Sequence, residues 1–559
     1  MDRRLDQVAA PTVVSRSSNT LLVLAVIAAA LVRMGWAYGH GLALEQEGVE
    51  YVRIAENLLN GRGYVGIFNN GTQLNFPPLY PLMIAVLSLI TGSGEWAARA
   101  INIAFGAALV VPMFKISERL YGRRAAIAVA ALVVFHPVLI AAGASTYSEG
   151  PYLTLMMFAM LCLTRWVADR RPASGMTAGA LMGLAYLIRP EAFLIAGLCV
   201  VAGLVSTMFV SQRRATVIGT LAMAAAFALV ASPNVAFLTY STGHFRIEAK
   251  GTLAYQWGQR MNQGMSYYEA ANAIGPDLSD VGVFMRPNLE VIKSTSFSPS
   301  DYFVFVMTAV RRNVAWIVSV ITKGKSFGSP WLFVLVALGL CRSAWDRQRA
   351  IIESMMLAMA AMFVLILLAV QWISFRYFIP VLGVLLFWAG KGAEELNVWA
   401  RDTFLALTGR SGFARIAGES LKWLSIVITL ATSLWAIPGE EQFTQSLSWE
   451  RRDAGRWLAQ QEPRPKWVMD AGLQVTYYAG ADLIYLPFAD SDLALRYIAK
   501  RRPDYIVLKS ADLESLPYTA MWFQQGIPDQ RAVLVYDRGT AASERVKVYR
   551  WIDDPKKGS

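Results

Sequence analysis

Long apolar stretches recur along the chain from residue 20 to residue 437. A helix needs about 20 apolar residues to cross a hydrocarbon core of ~30 Å, and most of these stretches approach that length. The pattern therefore predicts a polytopic α-helical membrane protein with about eleven transmembrane helices. The predicted spans are residues 20–38, 98–114, 125–143, 151–168, 175–188, 191–211, 215–237, 328–342, 351–370, 377–390 and 418–437.

Two further apolar segments do not fit a simple crossing. Residues 79–92 (LYPLMIAVLSLITG) number about 14, which is shorter than a usual span, so we expect a re-entrant or interfacial helix there. Residues 300–322 combine Arg311 and Arg312 with several aromatic side chains. This mixture is typical of a helix lying on the membrane surface, although a helical pair would leave the predicted orientation unchanged.

Basic residues indicate the orientation, because Lys and Arg concentrate in short cytoplasmic loops. The clusters fall on alternate connections and place the N-terminal tail, residues 1–19, in the cytoplasm. Three long polar regions then lie together on the outer side of an inner (cell) membrane: the loops 39–97 and 238–327 and the tail 438–559. The basic clusters are residues 115–124, 165–171, 213–214, 342–349 and 391–415.

The tail has a different pattern from the rest of the chain. Short β-rich runs alternate with amphipathic helical stretches, and such alternation is typical of a small α/β sheet. We therefore divide the chain into a transmembrane domain, 20–437, and an extracytoplasmic α/β domain, 438–559. The predicted strands are residues 467–470, 483–487, 505–508, 532–536 and 546–551, and the helical stretches are 449–461, 490–501 and 511–525.

Composition narrows the class of protein. Of the 559 residues, 55% are hydrophobic and 16% charged, and the mean hydropathy is +0.39. These values exclude a disordered chain and an ordinary cytosolic enzyme. The net charge of +12 is explained by the cytoplasmic loops, so no nucleic-acid partner is predicted. Three scattered cysteines argue against disulfides and thiolate metal sites.

Acidic residues concentrate just after the first predicted span, at Glu45, Glu47, Glu50 and Glu56. The apolar positions between 47 and 59 have helical spacing and predict an amphipathic helix at the membrane surface. A carboxylate at such a place is partly desolvated and rigidly held, as a general base must be. The alternative is that these glutamates only solvate the helix.

The first outer loop resembles that of the GT-C glycosyltransferases, the group related to protein mannosyltransferases and lipid A aminoarabinose transferases. The resemblance rests on EGVEYVRIAENLLNGRGY at 47–64, which contains Tyr51, and on FPPLYPL at 76–82, which contains Pro77, Pro78 and Tyr80. It covers about residues 20 to 395 and extends more loosely to the tail. Other matching pieces are Ser-Glu at 148–149, Arg-Pro-Glu at 189–191 and Arg-Tyr-Phe-Ile-Pro at 376–380.

The resemblance implies an inverting transfer of a sugar from a polyprenyl-phosphate carrier to an acceptor hydroxyl on the outer side. Relatives usually carry Asp-Glu in this loop, with the Asp as the base four residues before a Tyr, which gives Glu47 here. The second acid is replaced by Gly48, so Glu45 or Glu50 would compensate. Glu149 would be a further active-site acid that orients the acceptor or binds a divalent cation; otherwise it is a carboxylate favoured by a helix N-terminus.

The phosphate-binding cation is the second departure from the family. Many relatives have Lys before Pro-Pro, whereas this chain has Phe76. Arg376 is the first candidate to replace it, because a guanidinium at a membrane boundary is well satisfied by a phosphate; the alternative is that it snorkels at a helix end. Arg189 and Glu191 would form a structural pair with each other. The weaker phosphate candidates are Arg53, Arg189, Lys250 and Arg260. Trp257 is an aromatic residue suited to stacking on a sugar.

The donor implied by the resemblance is a polyprenyl-phosphate-linked sugar, and the acceptor is an envelope glycolipid, polysaccharide or protein. The need for a divalent metal ion stays open, as do the sugar and the oligomeric state. The alternative function is a non-enzymatic transporter or flippase of a lipid-linked sugar. A transporter is expected to have charged residues near the bilayer midplane, whereas the polar residues here gather on one side.

Overall fold

Helices form most of the chain up to residue 408. The computed structural model describes residues 16–39, 43–209, 211–295, 298–323, 331–342, 345–369, 374–408, 449–539 and 544–552, with isolated helical positions at 424, 427, 428 and 431. The helices of the first half are α1 (Arg16–Gly39), α2 (Gln46–Leu59), α3 (Leu79–Thr91), α4 (Gly94–Ala108), α5 (Val110–Tyr121), α6 (Arg123–Phe135), α7 (Pro137–Ala144), α8 (Glu149–Asp169), α9 (Pro172–Tyr186), α10 (Ala192–Ser206) and α11 (Arg213–Thr242).

The second half of the helical part contains the second long polar loop and three apolar helices. These elements are α12 (Lys250–Asn262), α13 (Tyr267–Asn272), α14 (Asn288–Ser294), α15 (Pro299–Lys323), α16 (Trp331–Cys341), α17 (Arg347–Ala369), a 3₁₀ helix at Phe375–Phe378 and α18 (Ile379–Thr408). Residues 300–322 thus lie in one continuous helix and not in a helical pair.

Fewer helices than predicted are long enough to cross a membrane alone. Among the described residues, five meet the length and hydropathy of a span, and the pair α6–α7, bent by 52°, adds a sixth. Three apolar helices are shorter: α3, α10 and α16. The count of eleven is therefore not confirmed. The predicted span 418–437 lies almost wholly outside the described residues.

The bend between α6 and α7 has an identifiable cause. Pro137 begins α7 and lacks the N–H that would continue the helix. The fully buried Arg33 of α1 donates a hydrogen bond of 3.0 Å to the carbonyl of Val133, near the end of α6. Gly106 and Gly143 make room for it, because a Cβ at either position would lie within 2.6 Å of the Arg33 Nε. An arginine thus satisfies backbone that the broken helix leaves open.

Helices α9 and α11 approach each other through small residues. Gly175, Gly179 and Gly183 follow one another at four-residue spacing on α9. A Cβ at Gly179 would lie 2.0 Å from the carbonyl oxygen of Met223 on α11. The glycines therefore permit direct backbone contact, as in other tightly packed membrane helices.

The tail contains the predicted small sheet. Its order is β2-β1-β3-β5-β4, with β1 parallel to β2 and β3, and β5 antiparallel to β3 and β4. All five strands coincide with predicted runs. That the tail is an extracytoplasmic domain stays a prediction. The elements are α19 (Trp449–Ala459), β1 (Trp467–Asp470), α20 (Gln474–Tyr478), β2 (Asp482–Tyr485), α21 (Ser491–Arg501), β3 (Tyr505–Lys509), α22 (Thr519–Gln525), β4 (Ala532–Arg538) and β5 (Val546–Trp551).

The tail packs against both polar loops. Tyr477 of α20 donates a hydrogen bond of 2.7 Å to Glu56 of α2. Tyr478 donates one of 3.0 Å to Glu95 at the start of α4. On the second loop, Tyr497 donates to Asp280 over 2.8 Å. Helix α20 of the tail therefore holds α2, which carries the acidic cluster.

Candidate active site

Glu47 and Arg376 form a bidentate ion pair across 329 residues of sequence. Glu47 lies in the first turn of α2, and Arg376 lies in the 3₁₀ helix that leads into α18. The two guanidinium nitrogens of Arg376 are 2.7 and 2.8 Å from the two carboxylate oxygens of Glu47. These two guanidinium nitrogens, called the Arg376 fork below, can bind either a carboxylate or a phosphate with two parallel hydrogen bonds. The proposed base and the first phosphate-binding candidate are thus in direct contact.

Glu149 extends this pair into a chain of alternating charges. It begins α8, is 2% exposed, and lies 3.3 Å from Arg376 and 2.7 Å from Arg189. Arg189 also contacts Glu191 at 3.2 Å. The expected Arg189–Glu191 pair is therefore present, but it is part of the larger cluster. The sequence interpretation gave Arg189 too little weight, although the Arg-Pro-Glu motif pointed to this position.

The cluster keeps Glu47 ionised. Burial alone raises the pKa of its carboxyl group, but the positive charges of Arg376, Lys250 and Arg189 outweigh burial and hold that pKa well below its usual range. Glu47 is therefore an anion at neutral pH, as a base must be before it accepts a proton.

Aromatic rings enclose the two arginines. The Arg376 guanidinium lies 4.2 Å from the ring centre of Tyr147 and 5.1 Å from that of Tyr377. Arg189 lies 5.6 Å from the Tyr377 ring and 5.9 Å from that of Tyr152. Cation–π contacts of this kind stabilise a charge that is removed from water. None of these tyrosines was predicted as a site residue.

The segment 145–148 beneath the cluster is held by three predicted residues. Glu45 is 3% exposed and accepts hydrogen bonds from the N–H of Thr146, at 3.0 Å, and from its hydroxyl. Tyr80 donates to the Thr146 carbonyl over 3.0 Å, and the Tyr51 hydroxyl lies 3.0 Å from that of Ser148. These contacts position Glu149, which follows directly. Glu45 is thus engaged in holding this segment.

Lys250 supplies a cation next to Phe76, where many relatives have a lysine. Its ammonium group lies 5.9 Å from the centre of the Phe76 ring, which also packs edge-on against Tyr51. Pro77 and Pro78 follow, and the N–H of Leu79 donates to the carbonyl of Leu187 over 2.8 Å. The proline segment is thereby fixed to the end of α9.

The remaining candidates bind other parts of the structure. Arg53 donates to the carbonyl of Ala481 in the tail over 3.2 Å. Arg260 donates to the carbonyl of Val281 over 2.7 Å, within the second loop. The indole ring of Trp257 packs edge-to-face with the Tyr267 ring, with the ring centres 4.5 Å apart. Glu50 is 1% exposed and binds the N–H of Ile67 and the amide of Gln73. The structure does not bring these four residues to Arg376.

Comparison with known proteins finds a family model and solved structures that resemble this chain. Residues 75–237 match the model of the dolichyl-phosphate-mannose-protein mannosyltransferase family. ArnT from Cupriavidus metallidurans, solved bound to undecaprenyl phosphate, superposes with a TM-score of 0.51 at 14% identity, over 96% of this chain and 98% of that chain. The chain has the GT-C glycosyltransferase fold. The resemblance inferred from the loop motifs is thereby confirmed.

A second set of structures shares the GT-C fold. The oligosaccharyltransferase AglB from Archaeoglobus fulgidus, in complex with an inhibitory peptide and a dolichol-phosphate, gives a TM-score of 0.54 at 14% identity, over 97% of this chain and 75% of that chain. The same organism's oligosaccharyltransferase with Zn and sulfate gives 0.56 at 15% identity, over 96% and 73%. A comparison with curated sequences gives no match.

Two cavities accompany the cluster. The first, of ≈ 10 Å³, is lined by Glu45, Ser145, Tyr147, Glu149 and Arg376 among others, and its size suits about one water molecule. The second, of ≈ 190 Å³, is apolar and lies between α8, α9, α10 and α17. Its residues Met156 and Leu163 are about 10 and 21 Å along α8 from Glu149, at 1.5 Å per residue.

A divalent metal ion does not fit the acids as arranged. Within the described residues, no group of three or more His, Cys, Asp or Glu side chains could hold a metal ion. Glu47 and Glu149 meet at Arg376, which supplies the positive charge that a metal would bring.

Proposed function

We propose that this protein is an inverting glycosyltransferase that moves a sugar from a polyprenyl-phosphate carrier to an acceptor hydroxyl on the outer side of the cell membrane. The Glu47–Arg376–Glu149 cluster is the observation that carries the proposal, because it places a carboxylate base beside a guanidinium suited to a phosphate. The carriers named with the ArnT and AglB structures support it.

In the proposed reaction, the acceptor oxygen attacks the anomeric carbon from the face opposite the carrier. Glu47 takes the hydroxyl proton as the new carbon–oxygen bond forms. The bond between the anomeric carbon and the phosphate oxygen breaks, and its electron pair leaves with the carrier phosphate. Arg376 and Lys250 stabilise the negative charge that develops there. Inversion at the anomeric carbon follows from this single displacement.

Glu149 has a different proposed role from Glu47. It is anchored by Arg189 at 2.7 Å and contacts Arg376 at 3.3 Å, so it fixes the guanidinium and can also orient the acceptor hydroxyl. Glu45 is proposed to act indirectly, because it holds the segment 145–148 that directly precedes Glu149.

The apolar cavity is a suitable place for the start of the polyprenyl chain. It lies beside α8, C-terminal to Glu149 along that helix. Its lining includes five methionines, whose flexible side chains adapt to irregular apolar ligands. The basic clusters on alternate connections support the orientation proposed here, with a cytoplasmic N-terminus and an extracytoplasmic tail. The acceptor would be an envelope glycolipid, polysaccharide or protein.

The deciding experiment is transfer by the purified protein in lipid, from a panel of radiolabelled polyprenyl-phosphate sugars into cell-envelope extract. Glu47→Gln keeps the shape of the side chain and removes the base, so we expect at least a ~100-fold loss of transfer. Glu290→Gln is the matched control, because it removes the same charge from an exposed surface pair.

Other outcomes would change the assignment. Transfer by Glu47→Gln within about threefold of wild type would remove Glu47 as the base, since a general base contributes ~10² or more. Wild-type protein that moves labelled carrier across vesicles without transferring sugar would contradict the transferase and favour the transporter.

A further inference from the structure

We propose that in the carrier-free protein Glu47 occupies the position on Arg376 that the carrier phosphate takes, and that carrier binding releases Glu47 to act on the acceptor. This inference rests on the proposed function and adds to it an order of events. Its starting point is the bidentate contact, in which both terminal nitrogens of Arg376 already bind Glu47. A phosphate that binds the same two donors must displace Glu47 from them.

The enclosed space beside the cluster is too small for a phosphate. The cavity beside Arg376 and Glu149 measures ≈ 10 Å³, which is about the space of one water molecule. A phosphate group carries four oxygen atoms and is several times larger. It can therefore reach the Arg376 fork only if a carboxylate moves away.

Glu47 is the carboxylate that is free to move. Glu149 is 2% exposed and is also bound by Arg189 at 2.7 Å. Glu47 is 21% exposed, and among the described residues its hydrogen bonds go to Arg376. It lies in the first turn of α2, so rotation of its side chain requires no change in the helix.

Arg376 is held in place while Glu47 leaves. The Tyr147 ring covers its guanidinium at 4.2 Å, Tyr377 lies at 5.1 Å, and Glu149 contacts it at 3.3 Å. After the exchange, Arg376 retains a paired negative charge in the form of the phosphate. The released Glu47 remains near Lys250 and at the N-terminal end of α2, where the helix dipole favours an anion.

The exchange would couple donor binding to the activation of the base. While Glu47 is paired with Arg376, the guanidinium lowers its pKa, which makes it a weak proton acceptor. Loss of that pairing raises the pKa and makes it a stronger base. An acceptor hydroxyl would therefore be activated only when the donor is already in the site.

The exchange makes a specific prediction about affinity. In the wild-type protein the carrier must displace Glu47, so removal of the Glu47 charge should tighten carrier binding although it abolishes transfer. We expect about tenfold tighter binding by Glu47→Gln, the size of effect given by hydrogen bonds between charged groups. Arg376→Gln should bind the carrier at least tenfold more weakly for the same reason.

The experiment measures the dissociation constant of a sugar-free polyprenyl phosphate for full-length protein in detergent. Glu290→Gln is the matched control, because it removes one negative charge from an exposed pair with Arg286, outside the cluster. It should change the affinity by no more than about twofold, since an exposed charge is screened by salt. Glu47→Ala gives a second test of the same position should Glu47→Gln fail to fold.

Two results would overturn the exchange and leave the proposed function intact. One is carrier binding by Glu47→Gln that equals or is weaker than wild type. The other is equal tightening by Glu47→Gln and Glu290→Gln, which would show a general charge effect. Failure of wild type and all variants to bind any polyprenyl phosphate would instead contradict the proposed function, and the exchange with it.

Discussion

Two buried clusters of arginine and glutamate lie in the helical part of the chain, and they are built differently. In the first, Arg349 and Glu353 are one turn apart on α17 and pair with each other. Glu353 is fully buried, and its second oxygen accepts a hydrogen bond of 2.9 Å from Trp388. Arg349 also donates to the Gly339 carbonyl over 2.6 Å. This cluster is local and saturated with partners.

The second cluster joins Glu47, Glu149, Arg189, Glu191 and Arg376 from distant parts of the sequence. Among the described residues, one oxygen of Glu149 and one of Glu191 are buried without a hydrogen-bond partner. Buried polar atoms are nearly always satisfied, so unused acceptors beside a cavity are typical of a site that takes a ligand. Both clusters are buried, so what separates the stabilising ion pair from the functional one is whether every polar atom has a hydrogen-bond partner.

The comparison is tested most strongly by matched arginine variants. Arg349→Gln leaves Glu353 buried without its cation, so we expect a loss of about 4 kcal/mol in the free energy of unfolding. Arg376→Gln should lose about 1 kcal/mol, because Glu149 keeps Arg189 and the partly exposed Glu47 can meet water. Unfolding of both variants in detergent measures this. Equal losses would show that the two clusters do not differ as described.

Much of this architecture follows from local patterns. The strands of the tail and the helix α2 could be predicted because the spacing of apolar residues along a short stretch indicates a strand or a helix. The number of spans could not, since α10 and α16 have 15 and 11 residues and are shorter than the apolar runs that predict them.

The site was predictable only in part. Glu47, Glu149 and Arg376 could be found because the loop motifs mark them. Arg53 is an arginine of the same loop, yet it binds the tail at Ala481. The motifs contain both Arg53 and Arg376 but do not show the partner of either, because each partner is set by contacts between segments hundreds of residues apart. The pairing of Arg189 with Glu149 depends on the same long-range packing.

Glu50 is a third kind of buried acid, whose hydrogen-bond partners are amides and not arginines. It lies one turn after Glu47 and is bound by the amide groups of Ile67 and Gln73. Burial raises the pKa of its carboxyl group to about 7. Below about pH 4.3, the pKa of a glutamate in the unfolded chain, Glu50 is protonated in both states and does not reduce stability. As the pH rises towards 7, the unfolded chain loses this proton before the folded protein does, so the free energy of unfolding falls by up to roughly 3 kcal/mol.

Glu50→Gln should therefore flatten this dependence. We expect the melting temperature of the wild type to fall more steeply than that of the variant between about pH 5 and pH 8. Glu290→Gln, which changes an exposed glutamate, should follow the wild-type curve. Parallel curves for wild type and Glu50→Gln would show that Glu50 is ionised in the folded protein throughout this range.

The smallest effect concerns the attachment of α2 to the tail. Tyr477→Phe removes the hydroxyl that donates to Glu56 but keeps the ring that lies 5.5 Å from Arg53. We expect a loss of about 1 kcal/mol in stability, as for one hydrogen bond. Because α2 also carries Glu47, sugar transfer should fall by about threefold, since small displacements of a catalytic group reduce rate.

Tyr497→Phe is the matched control for this variant. It removes a similar hydroxyl, which donates to Asp280 in the second loop and not to α2. It should lose similar stability and retain wild-type transfer. If both variants slow transfer equally, the tail acts through the loops together. If only Tyr477→Phe does, then the tail supports the active site by fixing the one helix on which the base is carried.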